Sequence, residues 1–480
     1  MNTEVVVPDT EIKPWPALWA LCLGFFMILV DTTIVAVAQP AILEGLQTDI
    51  NNVIWVTSAY LLAYAVPLLV TGRLGDRFGP RNLYIAGLVV FTLASAWCGL
   101  SGSIEMLIAA RAVQGVGAAM ITPQTMAVIT RVFPADKRGT AMGAWGAVAG
   151  VATLVGPILG GVLVDSLGWE WIFFINLPVG VVAIALALKF VPALPTHEHK
   201  FDLLGVVLSG IGLFCIVFGI QEGQKYDWDG RIWTLIIAGL IVFAAFVYWQ
   251  AKNRNEPLVP LALFRDRNFS LSNIGIAAMG FAMAGMMLPI MFYAQSVTGL
   301  SPTRSALLFV PMALLTGALA PNVGKLVDRV HPRYIAGTGL LLLAVALLAF
   351  AAVMTPTTAI WKLLLPVALM GIANAMIWSP LAATATRNLP MSQAGAGAGI
   401  YNTTRMIGSV LGSAGIGALI QSRLAAEIPG ASGSNEFSGR VPEMLRDGFT
   451  TAMAQSLILP TIVLLIGVVA VSFYARPAFK

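Results

Sequence analysis

Charge is the scarcest property of this 480-residue chain: Asp, Glu, Lys and Arg together make up 11% of it, against 58% hydrophobic residues. Soluble globular chains carry about 25% charged residues, so a soluble multidomain protein is excluded. Cysteine is rarer still in number. Cys22, Cys98 and Cys215 each lie in an apolar run, and an odd number of such thiols gives no disulfide framework, so they read as packing residues. Histidine is limited to His197 and His199 in a polar linker and an isolated His331, too few ligands for a metal site. No G-x-x-x-x-G-K-[ST] sequence is present, which leaves direct ATP use without support. The apolar runs also lack any His/Asp/Glu cluster or nucleophile–base pair, so the chain reads as not an enzyme and as needing no cofactor.

What is present is a succession of apolar runs, and the mean hydropathy is +0.83. A bilayer-spanning helix needs about 20 mostly apolar residues. Fourteen segments meet that description: 16–39, 53–71, 83–100, 104–130, 141–164, 171–191, 203–220, 232–249, 269–294, 303–323, 334–353, 362–386, 394–420 and 451–474. Transmembrane strands would alternate apolar and polar residues, and these runs are apolar all round. The expected fold class is an all-α polytopic membrane protein. The first run begins at Trp15 and continues past Val30, too long for a cleavable leader, so it reads as a retained first span.

Basic residues outnumber acidic ones by 28 to 23, and their placement orients the chain rather than pointing to nucleic acid. With a cytoplasmic N-terminus, 19 of the 28 fall on the inner side and 7 on the outer side, while Arg111 and Arg405 lie within spans. Inner loops of membrane proteins are enriched in Lys and Arg, so both termini are expected in the cytoplasm. The chain also repeats itself. Gly72–Arg81 and Gly324–Arg333 both fit G-[RK]-L-x-D-R-x-x-P-R at an offset of 252 residues. The offset implies two six-helix bundles, 16–191 and 269–474, separated by a linker of residues 192–268 that holds two further spans, with tails at 1–15 and 475–480. The two inserted spans carry no deep charge and are expected outside the central pathway.

The Gly72–Arg81 loop resembles motif A of the major facilitator superfamily, and Arg111–Ala119 (RAVQGVGAA) resembles its motif B. Gly156–Gly161 (GPILGG) is similar to the antiporter motif C, and Leu29–Val35 (LVDTTIV) to the motif of the fourteen-span drug:proton antiporters. Ala36, Gln39 and Glu170 depart from the usual residues, Glu170 by inverting a charge. The resemblance implies two bundles rocking about a central pathway. It also implies that the motif A residues Gly72, Gly75, Asp76, Arg77, Gly79 and Arg81 form a cytoplasmic gate, with Asp76 its key member, and that Gly156, Pro157, Gly160 and Gly161 act in antiport.

The residues themselves single out Asp31, the one carboxylate well inside a span. It lies roughly 12 Å from the outer end of its helix and Arg111 roughly 10 Å from the outer end of its own, at ~1.5 Å per residue. Ionisable groups at such depth are functional hypotheses. Either the pair is a bistable proton-coupling element or it is a static ion pair that fixes packing. Arg405, roughly 16 Å deep on the same rise, joins the proton-coupling set, where it meets Asp31, an anionic substrate group or backbone carbonyls. Tyr60, Gln124, Tyr293, Asn374, Trp378 and Asn402 are expected substrate contacts. Met279, Met283, Met286, Met287 and Met291 form either a cavity wall or a lipid-facing stripe. Together with the resemblance, these residues imply an inner-membrane, monomeric, proton-coupled exporter of amphipathic or lipophilic molecules. A transporter of one metabolite or lipid and a membrane sensor remain as alternatives.

Overall fold

The computed structural model describes residues 14–196, 202–253, 257–327, 330–387, 389, 394–428 and 441–475. Seventeen helices and no strand occur among them. Helices α1 (Pro14–Gly45), α2 (Ile50–Phe78), α3 (Pro80–Gly99), α4 (Ile104–Val132), α5 (Ala135–Leu167), α6 (Trp171–Phe174) and α7 (Asn176–Phe190) form a first group. A hairpin of α8 (Leu203–Glu222) and α9 (Gly230–Lys252) follows. The second group comprises α10 (Arg267–Phe292), α11 (Pro302–Leu307), α12 (Val310–Val327), α13 (Pro332–Val353), α14 (Ile360–Thr386), α15 (Ala394–Glu427), α16 (Arg446–Ser456) and α17 (Ile458–Ser472). Twelve stretches among the described residues are long and apolar enough to cross a membrane, with α6–α7, α11–α12 and α16–α17 each counted as one.

Polar side chains at the joints explain where several helices begin. Asp49, Ser103, Asp202, Asp229, Asp266 and Ser301 each accept from a backbone N–H in the first turn of the following helix, which satisfies one of the orphan donors of a helix start. Prolines at 40, 67, 123, 157 and 289 lie inside helices and each removes one ladder hydrogen bond. After Pro289 the chain widens into a π-helical turn, Tyr293–Val297.

Packing repeats between the groups. The pairings α1–α5, α2–α4, α3–α4 and α3–α7 recur as α10–α15, α12–α14, α13–α14 and α13–α17. Between the groups, α2 packs along α15 and α5 against α11. Polar contacts among the described residues cross this seam. Gln295 donates to Val37 O at 2.9 Å, Thr303 N to Asp165 Oδ2 at 3.0 Å, and the Ser58 and Ser413 hydroxyls lie 2.9 Å apart.

The inserted hairpin is tied down more firmly than its sequence suggests. Helix α8 lies against both α2 and α15, and it runs on through Gln221 and Glu222, which the sequence places in the joining loop. Both are buried. Glu222 accepts from Asn51 at 2.8 Å and Trp55 at 2.6 Å, and Gln221 donates to Ser58 Oγ at 2.8 Å once its amide is oriented to satisfy both ends. At the other end of the hairpin Asp202 accepts from Trp249 at 2.6 Å, Gln250 at 2.7 Å and Gly205 N at 2.9 Å. Burial opposes its charge, yet these bonds and one from Asn253 hold its carboxyl below the usual carboxylate range.

Candidate functional site

Helix α1 carries Asp31 at its midpoint, fully buried, and α4 brings Arg111, 1% exposed, against it. Arg111 Nη1 donates to Asp31 Oδ2 at 2.6 Å. The second carboxylate oxygen accepts from Gln114 Nε2 and from Asn176 Nδ2, both at 2.9 Å. Gln114 is three residues beyond Arg111, so the two share one face of α4, while Asn176 opens α7 where α6 breaks off. Both amides also donate to Ser95 Oγ, at 3.2 and 2.9 Å, and the Ser95 hydroxyl donates to Phe173 O at 3.0 Å. Arg111 completes its own set through Gln114 Oε1 at 2.6 Å, Val56 O at 3.3 Å and the face of Tyr60, whose ring centroid lies 4.0 Å away.

A buried ion pair is offset against its desolvation when the remaining donors and acceptors find partners, and here Arg111 Nε and Nη1 and both Asp31 oxygens have them. The same saturation constrains the chemistry. Asp31 Oδ1 already takes two amide donors and Oδ2 takes Arg111 Nη1, so a proton added to the carboxyl removes the charge that holds these three donors and weakens all three contacts. Those three residues stand on α4 and α7, and Asp31 on α1. The Asp31 carboxylate thereby ties α1 to α4 and α7.

Arg405 does not join this knot. It stands half-buried on α15, and among the described residues neither a carboxylate nor a hydrogen-bond acceptor meets its guanidinium. Its nearest electrostatic company is the Trp378 ring, 5.6 Å from the guanidinium carbon, with the phenols of Tyr64 and Tyr401 nearby. The six expected substrate contacts divide accordingly. Trp378 is 42% exposed beside Arg405, Asn374 one turn away on α14 has a buried Oδ1 without a partner, and Asn402 is half-buried on α15. Tyr60 instead belongs to the Arg111 stack. Gln124 is packed inside, donating to Thr71 O at 2.7 Å, and fully buried Tyr293 donates to Thr355 O at 2.8 Å. Met279, Met286 and Met291 are core residues and form neither cavity wall nor lipid stripe, whereas Met283 and Met287 are partly buried.

The motif A loop is mostly helix. Helix α2 continues to Phe78, so Gly72 and Gly75 are helical and only Gly79, at φ +88°, makes the turn into α3. Gly75 has a different reason to be glycine: a Cβ there meets the Gln124 side chain of α4, with Cδ at 2.6 Å, whereas at Gly72 the nearest atom is 3.9 Å off. Arg81 donates to Leu188 O at 2.5 Å, and Arg77 is exposed. The Asp76 side chain lies outside the described residues, as do Asp328 and Arg329 of the second copy and the linker histidines 197 and 199. Motif C serves contact on two sides. A Cβ at Gly160 lies 2.6 Å from Ile34 Cγ1, and one at Gly156 collides with Thr33, so both seat α5 on α1 beside buried Pro157. A Cβ at Gly161 lies 2.5 Å from Thr303 Cα, across the seam between the groups.

A family model described as Major Facilitator Superfamily matches residues 21–413. The chain belongs to that superfamily. It is similar to the uncharacterized MFS-type transporter Rv1250 of Mycobacterium tuberculosis, 56% identical across 96% of this chain and 81% of that protein. A tetracenomycin C resistance and export protein of Streptomyces glaucescens is 34% identical across 87% of this chain and 78% of its own length. The multidrug resistance protein Stp of M. tuberculosis is 33% identical across 86% and 76% respectively. Among solved structures, a bacterial homologue of the human lysosomal transporter Spinster aligns with a TM-score of 0.65 at 19% identity, covering 96% of this chain and 97% of that one, a likeness of fold. As a member of the major facilitator superfamily the chain is a multi-pass membrane transporter rather than an enzyme.

Sequence reasoning paired Asp31 with Arg111 by depth but missed the amides that complete the pair. Gln114 lies inside the motif B segment, and a second polar side chain one turn from Arg111 is a signal for it. Asn176 and Ser95 carry no comparable signal, because isolated Asn and Ser are common in apolar helices.

Proposed function

We propose that this superfamily member is a proton-coupled secondary exporter of amphipathic or lipophilic small molecules, working by alternating access. In this reading the chain crosses the inner membrane fourteen times. Helices α2 and α5, of 29 and 33 residues, are long enough at ~1.5 Å per residue to cross a ~30 Å hydrocarbon layer. Both termini are cytoplasmic. Residues 16–191 and 269–474 form the two six-helix bundles, the linker 192–268 contributes α8 and α9, and the monomer is the working unit. The residues of motif A, Asp76 foremost, gate the cytoplasmic side, and Pro157 with the motif C glycines shapes the hinge of α5.

The observation that carries the proposal is the occupation of both Asp31 oxygens by donors from two other helices. Proton uptake there removes the charge to which those donors are held and loosens them, which is the mechanical link an exchanger requires. The export direction draws on the likeness to the tetracenomycin C resistance and export protein of Streptomyces glaucescens. The test is gradient-driven transport in proteoliposomes. Wild-type protein is expected to concentrate substrate against its gradient when a pH gradient is imposed, and Asp31→Asn to lose that ability while staying folded. Undiminished uphill transport by Asp31→Asn removes the aspartate from coupling.

A further inference from the structure

The cation on α15 has the opposite setting to the one on α4. Ionisable side chains inside spans are costly, and the ordinary structural remedy is a carboxylate or a ring of acceptors, as around Arg111. Among the described residues Arg405 has neither, and its buried Nε is left without a partner. Asp31 cannot supply the missing charge, because both of its oxygens are already engaged. A guanidinium presents five donors in a planar fork that matches a carboxylate edge-on.

The surroundings describe what would fit that fork. Trp378 offers an exposed indole face beside it, and Asn374 one turn further along α14 holds an unfilled carbonyl oxygen whose amide end touches Met283 Sδ at 3.9 Å. Tyr64, which belongs to α2 in the other group, lies near the same guanidinium. The cluster therefore faces the seam where the groups meet, the place a pathway between them must run.

We infer that Arg405, with Trp378 and Asn374, is a binding site for an amphiphilic organic anion, whose acidic group engages the guanidinium while its aromatic body lies on the indole. This names the substrate class of the proposed exporter and rests on that reading for the direction of movement. Binding of an anion supplies the counter-ion that Arg405 lacks among the described residues.

The experiment measures equilibrium binding of three probes with the same ring to the purified full-length protein, with no gradient imposed: radiolabelled 2-naphthoate, 2-naphthamide and 2-naphthylmethylammonium. The carboxylate is expected to bind at least about tenfold more tightly than the ammonium, the scale of a charge-assisted hydrogen bond. Arg405→Gln is expected to lose about tenfold for naphthoate and to change naphthamide by less than about twofold. Arg405→Lys keeps the charge but not the fork and should fall between them. Equal affinities for the three probes, a preference for the ammonium, no saturable naphthoate binding, or an Arg405→Gln protein that binds naphthoate as wild type does each overturns the assignment. Should Arg405→Gln not fold, the wild-type probe order and Arg405→Lys still decide. An anion preference without gradient-driven transport would sink the exporter reading alone, and uphill transport without an anion preference would sink this one alone.

Discussion

Arg111 and Arg405 are the same side chain set into apolar helices of one protein, and their surroundings are opposite. Arg111 is held by a carboxylate, an amide oxygen, a backbone carbonyl and a tyrosine face. Among the described residues Arg405 has a distant indole, two nearby phenols and an unfilled Nε. A buried charge with all its partners belongs to the fold, because removing any partner exposes the cost of burying the rest. A buried charge without partners carries that cost already, and the fold tolerates it where something outside the chain supplies the balance. The difference separates a group the protein uses on itself from one it offers to a ligand.

The largest expected effect follows directly. Arg111→Gln leaves Asp31 buried without its cation and should cost ~3–5 kcal/mol of stability, read as a steep fall in thermal midpoint or loss of monodisperse protein. Arg405→Gln removes an uncompensated charge and should leave the midpoint unchanged or raise it. Equal losses in the two variants would break the comparison. It is sharpened by the double variant Asp31→Asn/Arg111→Gln, which removes both charges of the pair and should recover at least about 1–2 kcal/mol relative to the sum of the single changes. Strict additivity would mean that the pair does not act as a unit.

Motif C gives the next effect in size, and it contrasts contact within a group with contact across the seam. Gly160→Val places side-chain atoms against Ile34 inside the first group, and overpacking of this kind costs ~1–3 kcal/mol. Gly161→Val instead meets Thr303 of α11. It should spare thermal stability by comparison and push apart the ends of α5 and α11. Spin labels at Val164 and Leu307 should report a longer distance in Gly161→Val and an unchanged one in Gly160→Val. The reverse pattern would show that α5 is seated on α1 and α11 in some other way.

Much of this was legible in the sequence because membrane helices must be apolar along their whole length. The runs mark α1, α4 and α13 closely, and depth counting brought Asp31 and Arg111 together without any coordinates. The helix ends were less legible. Gly72–Phe78 reads as a loop from its charges and glycines, yet it extends α2, since Gly75 is there for the approach of Gln124 and not for a turn. Gln221 and Glu222 read as loop for the same reason, yet α8 keeps them because Asn51, Trp55 and Ser58 of α2 receive them. Polar residues at the end of an apolar run look alike whether they face water or a neighbouring helix. Tyr60, Gln124 and Tyr293 show the converse ambiguity: a polar group deep in a span suits a substrate cavity and a helix–helix contact equally, and here each meets a neighbouring helix or loop.

The smallest effect concerns Asp202, a buried carboxylate whose partners among the described residues are neutral donors, intermediate between the two arginine settings. Its bonds to Trp249 and Gln250 close the base of the α8–α9 hairpin. Asp202→Asn puts an amide where acceptors are needed and should lower the thermal midpoint by a few degrees at neutral pH, equivalent to about 1 kcal/mol for the lost bonds. Because the folded carboxyl titrates below its unfolded value of about 3.9, the charge stabilises the fold at every pH above that value. The contribution is lost as pH falls through the lower, folded value. The gap between wild type and variant should therefore be constant from neutral pH down to about pH 4 and close below it. A gap of the same size at the acid end would mean that shape alone, and not the charge on Asp202, holds the hairpin shut.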